Sequence, residues 1–364
     1  MSDATLAALG FRDQDRERFA PLAAEGLEPA RVVAAHTRYL RVASAAGEGL
    51  AEVAGSLKHQ ARGSEELPAV GDWVALRPRA GDGRAVIQAV LPRRTAFVRR
   101  AAGVRTLAQV RAANVDTAFL VMGLDGDFNP RRLERALVLA WESGATPVVL
   151  LNKTDLAEDL DGRRAEIERV ALGVPVCAIA AKHGEGLEAL APWLAPGHTV
   201  VLLGSSGVGK STLVNRLLGR DKQKTREVRE DDQRGRHTTT HRELIALPGG
   251  ALLLDTPGLR ELQLWSTAEG IEAAFEDVQT LAAGCRFRDC GHEREPGCAV
   301  RDAAAHGRLD PARLASYHKL QAERRALEIR EDPLKQKAER GRWKAIHKSL
   351  RSSPQKGGGG GTMR

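Results

Sequence analysis

Gly204-Ser205-Ser206-Gly207-Val208-Gly209-Lys210-Ser211 spells G-x-x-x-x-G-K-S. An apolar run from Val200 to Leu203 precedes it, and a helical pattern from Thr212 to Leu218 follows. Strand, glycine loop and helix in that order form the context in which this motif binds phosphate. The glycines let backbone N–H groups converge on phosphate oxygens, and the helix N-terminus adds a partial positive charge. Lys210 is expected to reach the β- and γ-phosphates, and Ser211 to ligate Mg²⁺. The predicted nucleotide contacts are therefore Gly204, Ser205, Ser206, Gly207, Val208, Gly209, Lys210, Ser211 and Thr212.

Upstream, a second apolar strand ends in Asn152-Lys153-Thr154-Asp155, or N-K-x-D. The Asp155 carboxylate can accept two hydrogen bonds from the ring N–H and exocyclic amine of guanine. Adenine offers no such edge, so a mismatch would strand a buried charge. Asn152 is expected to brace the loop or touch the base. Beyond the next strand, Ala180-Ala181-Lys182 suits the backbone loop that contacts the guanine oxygen, with Ala180 where serine is usual. Downstream, Asp255-Thr256-Pro257-Gly258 gives D-x-P-G. Asp255 is expected to hold Mg²⁺ through water, and the Gly258 N–H to sense the γ-phosphate. Between them, Asp221 to Arg242 is polar and contains Gly235-Arg236-His237-Thr238-Thr239-Thr240. One of these threonines, assigned as Thr239, is expected on Mg²⁺. The stretch has little to bury and should loosen once the γ-phosphate is gone.

Leu259 stands where many GTPases carry a water-orienting glutamine. Leucine cannot orient water, so another group does so or the intrinsic rate is low. His237 is the nearest candidate catalytic group beside Lys210 and Gly258; the alternative is that it only packs or hydrogen-bonds.

Three of the four cysteines fall between Cys285 and Cys298, with His292 among them. Cys285, Cys290, His292 and Cys298 make a closed Cys3His set for one structural Zn²⁺, with no open position for a catalytic water. Few cysteines, clustered in this way, predict a reducing, cytoplasmic setting without a disulfide framework. Met1 to Gly10 lacks the basic start and apolar core of a secretory signal. No apolar run is long enough to span a membrane, so no membrane role is expected.

The 364-residue chain has a formal charge of +8. Pro311 to Arg364 holds 14 of the 55 basic and 5 of the 47 acidic residues, so the tail is +9 and the remainder −1. A basic tail on a near-neutral body suggests a polyanionic partner, most simply RNA, or else a solvated, charge-laced helix.

The organisation follows from the patterning. Residues 1–29 form an extension without a readable pattern. Residues 30–95 carry short strands at Arg31–Ala34, Gly49–Val53, Trp73–Leu76 and Ala85–Val90 separated by turns, which predicts a five-stranded OB-type barrel. Pro92 to Arg111 reads as a basic connector. Residues 96–268 alternate strands with helices and predict a mainly parallel α/β sheet that binds ligand at its strand ends. A helix is expected from Asn129-Pro130 to Glu142, and another over Gly270–Ala283. Residues 269–350 combine the cysteine cluster with helices and the basic tail, and 351–364 are a glycine-rich end.

The motifs run in rotated order. N-K-x-D precedes the phosphate loop, which precedes the threonine segment and D-x-P-G, so the GTPase domain reads as circularly permuted. Together with Ala113-Asn114-Val115-Asp116 and the run from Gly235 to Leu244, this set closely resembles the ribosome small-subunit-dependent GTPase A family (RsgA, also YjeQ) over nearly the whole chain. The resemblance implies an N-terminal OB domain, a permuted GTPase domain and a zinc-bearing helical C-terminal domain. It also implies GTP hydrolysis to GDP stimulated by the small ribosomal subunit, rRNA contact and a role in late subunit maturation, by a chain expected to be monomeric. The rival expectations are an RNA-binding assembly scaffold that uses GTP as a switch with little turnover, and an ATP-dependent enzyme.

Overall fold

The computed structural model describes residues 2–36, 38–78, 84–101, 107–219, 242–255 and 268–331. Two helices open the chain, α1 (Ser2–Ala8) and α2 (Asp13–Ala24). Only Asp15 and Phe19 of α2 are buried, which is why no periodic apolar stripe is visible there. Leu6, Phe11 and Phe19 nevertheless form a small core with Trp73, the Phe11 and Trp73 rings lying 4.6 Å apart. The extension is thus a helical cover on one side of the barrel.

The barrel comprises β1 (Glu28–Ala35), β2 (Leu40–Ser44), β3 (Gly47–Val53), a short helix α3 (Gly55–Gln60), β4 (Trp73–Arg77) and β5 (Ala85–Val90). β1 pairs with β2, β2 with β3, β3 with β5 in parallel, β5 with β4, and β4 back with β1. That closed circuit is the expected OB-type barrel, and closure removes the exposed sheet edges. β2 is the strand the turn pattern does not reveal. The expected connector is also ordered: β6 (Ala96–Ala101) and β7 (Leu107–Ala113) form an antiparallel hairpin. Arginines at Arg99 and Arg111 mask its β pattern.

Next come β8 (Thr117–Gly123), α4 (Pro130–Ser143), β9 (Thr146–Asn152), α5 (Leu160–Val170), β10 (Val176–Ile179), β11 (Thr199–Leu203), α6 (Lys210–Leu218), β12 (Glu243–Ala246) and β13 (Leu252–Asp255). They lie in the order β10-β9-β8-β11-β13-β12, with the first five parallel and β12 antiparallel. Every residue of β8 is buried, as a central parallel strand covered on both faces requires. α4 starts as its sequence dictates: the Asn129 side chain accepts the Arg132 N–H, Pro130 takes the first turn, and Gly144 at φ 81° ends the helix.

The Ala113-Asn114-Val115-Asp116 segment is the joint between barrel and sheet. Asn114, at φ 53°, is buried, donates to Gly71 O at 3.1 Å and accepts from the Arg94 N–H at 3.0 Å. Arg31 of β1 is fully buried and donates to the carbonyls of Leu9, Gly71 and Asn114. Burial lowers its pKa to about 10. Asp116 pairs with Arg12 at 2.7 Å and accepts the Thr199 N–H at 2.9 Å. One buried arginine therefore links cover helix, barrel and the entry to β8. At the far side, β1 meets β12 through Ala34 and Glu243.

The C-terminal helices are α7 (Ala268–Ala274), α8 (Glu276–Ala282), α9 (Ala299–Ala305) and α10 (Pro311–Glu331). The single helix expected over Gly270–Ala283 breaks at Phe275, whose ring is fully buried. α7 lies hard against α4: a Cβ on Gly270 would stand 2.3 Å from Glu142 Cγ. Arg313 of α10 is buried and reaches Asp277 of α8 (Nη2 to Oδ1, 2.8 Å), Ala274 O (2.9 Å) and Glu134 of α4 (3.1 Å). Its two carboxylate partners hold its charge against the burial that would lower its pKa. Among the described residues, no helix is long and apolar enough to cross a membrane.

Candidate nucleotide site and Cys3His cluster

The phosphate loop occupies the turn from β11 to α6, at the carboxyl end of the parallel sheet, where ligands of α/β folds bind. Its conformation depends on glycine. Gly204 has φ 147°, and a Cβ there would meet Val121 O at 2.3 Å; Gly209 has φ 94°, and a Cβ there would meet Asn152 Nδ2 at 2.3 Å. Lys210 is buried; its ammonium folds onto the loop, donating to Gly204 O at 2.6 Å and to Ser205 O. Ser211 and Thr212 lie in the first turn of α6, and Asp255 ends β13, the strand beside β11.

The buried Asn152 ties the expected guanine motif to this loop. Its Nδ2 donates to Val208 O at 2.7 Å, and its Oδ1 accepts the Ala181 N–H at 3.0 Å. One side chain thus joins N-K-x-D, the 180 loop and the phosphate loop. Of the two tasks foreseen for Asn152, the structure contains the bracing one. Lys153 has φ 66° and pairs with Asp125. Asp155 lies 3.5 Å from His183 Nε2. Ala180 and Ala181 are fully buried, and the turn closes through Ala180 N–H to Glu185 O at 3.0 Å. Arg216 of α6 donates to Ala181 O (3.2 Å) and to Lys182 O, fixing this turn from below.

The sequence reading missed the β8–α4 loop. Asp125 binds Lys153. Asp127 accepts from Ser205 Oγ and pairs with Arg132, whose Nη1 also donates to Ser205 Oγ at 2.9 Å. Burial works against ionisation of Asp125, but the Lys153 ammonium and the Asp127 N–H outweigh it and hold its carboxyl below the ordinary carboxylate value. The available signal was two aspartates just before an Asn-Pro helix start at a strand end. His237, Thr238, Thr239, Thr240, Thr256, Pro257, Gly258, Leu259 and the tail from 332 onward lie outside the described residues.

Cys285, Cys290, His292 and Cys298 converge, their ligand atoms all within 4.8 Å of one another. Cys285 Sγ and Cys298 Sγ are 3.9 Å apart, and His292 Nδ1 lies 3.6 and 3.4 Å from them. Tetrahedral Zn²⁺ with Zn–S bonds of about 2.3 Å sets S···S edges of about 3.8 Å, so the spacing fits that ion. The start of α9 adds Arg301 N–H to Cys298 Sγ at 3.4 Å. Burial raises the Cys285 pKa, but the N–H groups of Val300 and Ala299 together with the Cys298 and Cys290 thiols more than offset it, while burial and the neighbouring thiols push Cys290 up to about 11. Glu295 shapes the intervening loop by accepting the N–H groups of Gly291, Glu293 and Arg294 at 3.0, 2.9 and 3.0 Å.

Comparison with known proteins agrees with this architecture. A family model described as RsgA GTPase matches residues 90–265. The "Small ribosomal subunit biogenesis GTPase RsgA" of Opitutus terrae is 54% identical over 357 residues, covering 96% of this chain and 97% of that protein. The protein of the same name from Syntrophotalea carbinolica is 46% identical, covering 93% and 94% of the two chains. Among solved structures, YjeQ from Thermotoga maritima superposes with a TM-score of 0.61 at 28% identity, covering 82% of this chain and 98% of that one. YloQ, titled a circularly permuted GTPase, gives 0.59 at 25% identity, covering 82% and 96%. With the guanine motif ahead of the phosphate loop on one parallel sheet, a barrel before it and a Cys3His cluster after it, this chain belongs to the RsgA family of circularly permuted GTPases.

Proposed function

We propose that this GTP hydrolase acts on the small ribosomal subunit late in its maturation, with hydrolysis stimulated by the subunit and used as a release or checkpoint signal. The observation that carries the nucleotide half is Asn152, which fastens the guanine motif and the 180 loop to the phosphate loop. Asp155 accepts the guanine edge, with Lys153 and the Ala180-Ala181-Lys182 turn around the base. The N–H groups of Gly204 to Thr212 receive the phosphates, and Lys210 turns from its carbonyl partners to the β- and γ-phosphates. Ser211, Asp255 and Thr239 supply the oxygens for Mg²⁺, which offsets charge on the transferring phosphoryl group. Gly258 reads the γ-phosphate, and His237 orients water.

The division that serves this activity is an extension at 1–29, a barrel at 30–95, the permuted GTPase domain at 96–268, a zinc-bearing helical region with basic tail at 269–350, and a terminal segment at 351–364. Cys285, Cys290, His292 and Cys298 hold one Zn²⁺, which shapes the loop and does no chemistry. The partner half is supported by the relatives' name and by one barrel face. His36 and Tyr39 stack with centroids 4.7 Å apart, and Arg84 lies 5.3 Å over the Tyr39 ring. His36 and Tyr39 line a cleft of about 360 Å³ together with Arg38, Lys58 and Arg242, aromatic and basic groups of the kind that hold unpaired bases and phosphates. The protein is taken to act in the cytoplasm as a monomer. Equilibrium binding tests the nucleotide assignment: GTP should bind far more tightly than ATP, and Asp155→Asn should remove most of that preference. ATP binding equal to GTP in the unaltered protein would refute it.

A further inference from the structure

The geometry points to Arg132 and Asp127, side chains outside every motif used above, as positioning residues that clamp the phosphate loop at Ser205. Ser205 Oγ donates to Asp127 Oδ2 and accepts from Arg132 Nη1 at 2.9 Å, and the same Nη1 pairs with Asp127 Oδ1. The hydroxyl is thus held on both its donor and its acceptor side. Both clamp residues have fixed anchorage. Arg132 stands in the first turn of α4, where its own N–H is capped by Asn129 Oδ1 at 3.1 Å. Asp127 belongs to the turn in which its N–H donates to Asp125 Oδ1 at 3.2 Å, and Asp125 is held in turn by Lys153.

The clamp matters because of what Lys210 must do. With glycines at left-handed φ values at positions 204, 207 and 209, the loop has little intrinsic stiffness. Its rear is fixed by Asn152 on Val208 O. Its front is held by the Lys210 ammonium on the carbonyls of Gly204 and Ser205. In the GTPase reading, on which this inference rests, Lys210 leaves those carbonyls for the phosphates. The front of the loop then relies on the Ser205 clamp to keep its N–H groups converged. Binding both phosphates on a pre-shaped loop avoids the ordering cost that a slack loop would incur. Arg132 is not cast as a γ-phosphate ligand, because its Nη1 is committed to Asp127 and Ser205 and its charge is balanced by the aspartate.

The test uses the full-length, metal-loaded protein and measures Kd for GDP and for a non-hydrolysable GTP analogue, together with steady-state kcat and KM. Arg132→Ala and Asp127→Ala are each expected to weaken GDP and the GTP analogue alike by roughly tenfold, allowing for the partial exposure of the pair. KM should rise while kcat changes less than about twofold, as loss of uniform binding requires. Arg132→Lys, which keeps the charge and a donor, should recover most of the affinity, and the double variant should be little worse than either single one because both side chains act on one hydroxyl. Ser205→Ala removes only an oxygen and should reproduce the loss even if a clamp variant folds poorly. Unchanged Kd in Ser205→Ala and Arg132→Ala would overturn the proposal. So would a loss confined to the GTP analogue with GDP unaffected, which would make Arg132 a γ-phosphate contact. Failure of the unaltered protein to bind either nucleotide would instead refute the GTPase reading itself.

Discussion

Two side chains decide how the pieces of this molecule are held in register, and neither is chosen for its charge alone. Asn152 satisfies a carbonyl of the phosphate loop and an N–H of the 180 loop at once. Asn152→Ala strands both groups, each at about 1–3 kcal/mol, so GDP affinity should fall by at least tenfold in an equilibrium titration. Arg31 does the same work at the joint with three carbonyl partners, and Arg31→Met should cost about 3 kcal/mol or more in urea unfolding. Asp125 supplies a pH signature. Its folded pKa lies below the ordinary 3.8, so its pairing stabilises the fold above that pH and the contribution is lost as pH falls through the lower, folded value. The acid limb of stability against pH should therefore be shallower in Asp125→Asn than in the unaltered protein, as followed by chemical unfolding. At this scale the sequence was informative where spacing encodes chemistry, as in Gly204 to Ser211 or the Cys3His set. It was silent on Asp125, Asp127 and Arg132, because an aspartate in a turn and an arginine in a first helical turn are ordinary residues until the fold brings them to Ser205.

Among the elements, α4 has the most to connect. Its first turn holds Ser205 through Arg132. Beside it Arg131 pairs with Asp310, and further along Glu134 pairs with Arg313 and Arg135 with Glu323, while Gly270 of α7 admits the Glu142 stem. The helix therefore touches the phosphate loop at one end and the C-terminal helices along its length. Glu134 is fully buried, so Glu134→Ala leaves the Arg313 charge underpaired. Hydrogen exchange should then speed up over residues 268–331 ahead of the β8 and β9 amides, with a destabilisation of about 1–3 kcal/mol, since Asp277 still pairs with Arg313. The existence of α4 was legible from Asn129-Pro130 and the amphipathic run to Glu142. What it packs against was not, since Arg131, Glu134 and Arg135 look like a solvated face until Asp310 and α10 supply their partners. The β6–β7 hairpin and strand β2 were lost for a related reason: short, arginine-bearing strands take their stability from neighbouring strands and lack a pattern of their own.

Across the whole molecule, the permuted order puts Asp255 at the end of β13, close in sequence before α7, while α4 provides a second, spatial route from the phosphate loop to the same helices. Barrel and sheet are locked by Arg31, Asn114 and Asp116. The barrel cleft and the Cys3His loop therefore sit on one framework with the nucleotide site, the arrangement a GTPase needs if a large partner is to act on its chemistry. The barrel, the parallel sheet and the cluster could all be foreseen from the chain, because each rests on local turns, strand runs or ligand spacing. The contacts between them could not, because they are made by buried arginines and asparagines whose partners are distant in sequence. Under the function proposed above, turnover answers to the small ribosomal subunit. GTP hydrolysis should be slow for the protein alone and should rise strongly and saturably as purified small subunits are added. Equal rates with and without subunits would contradict it.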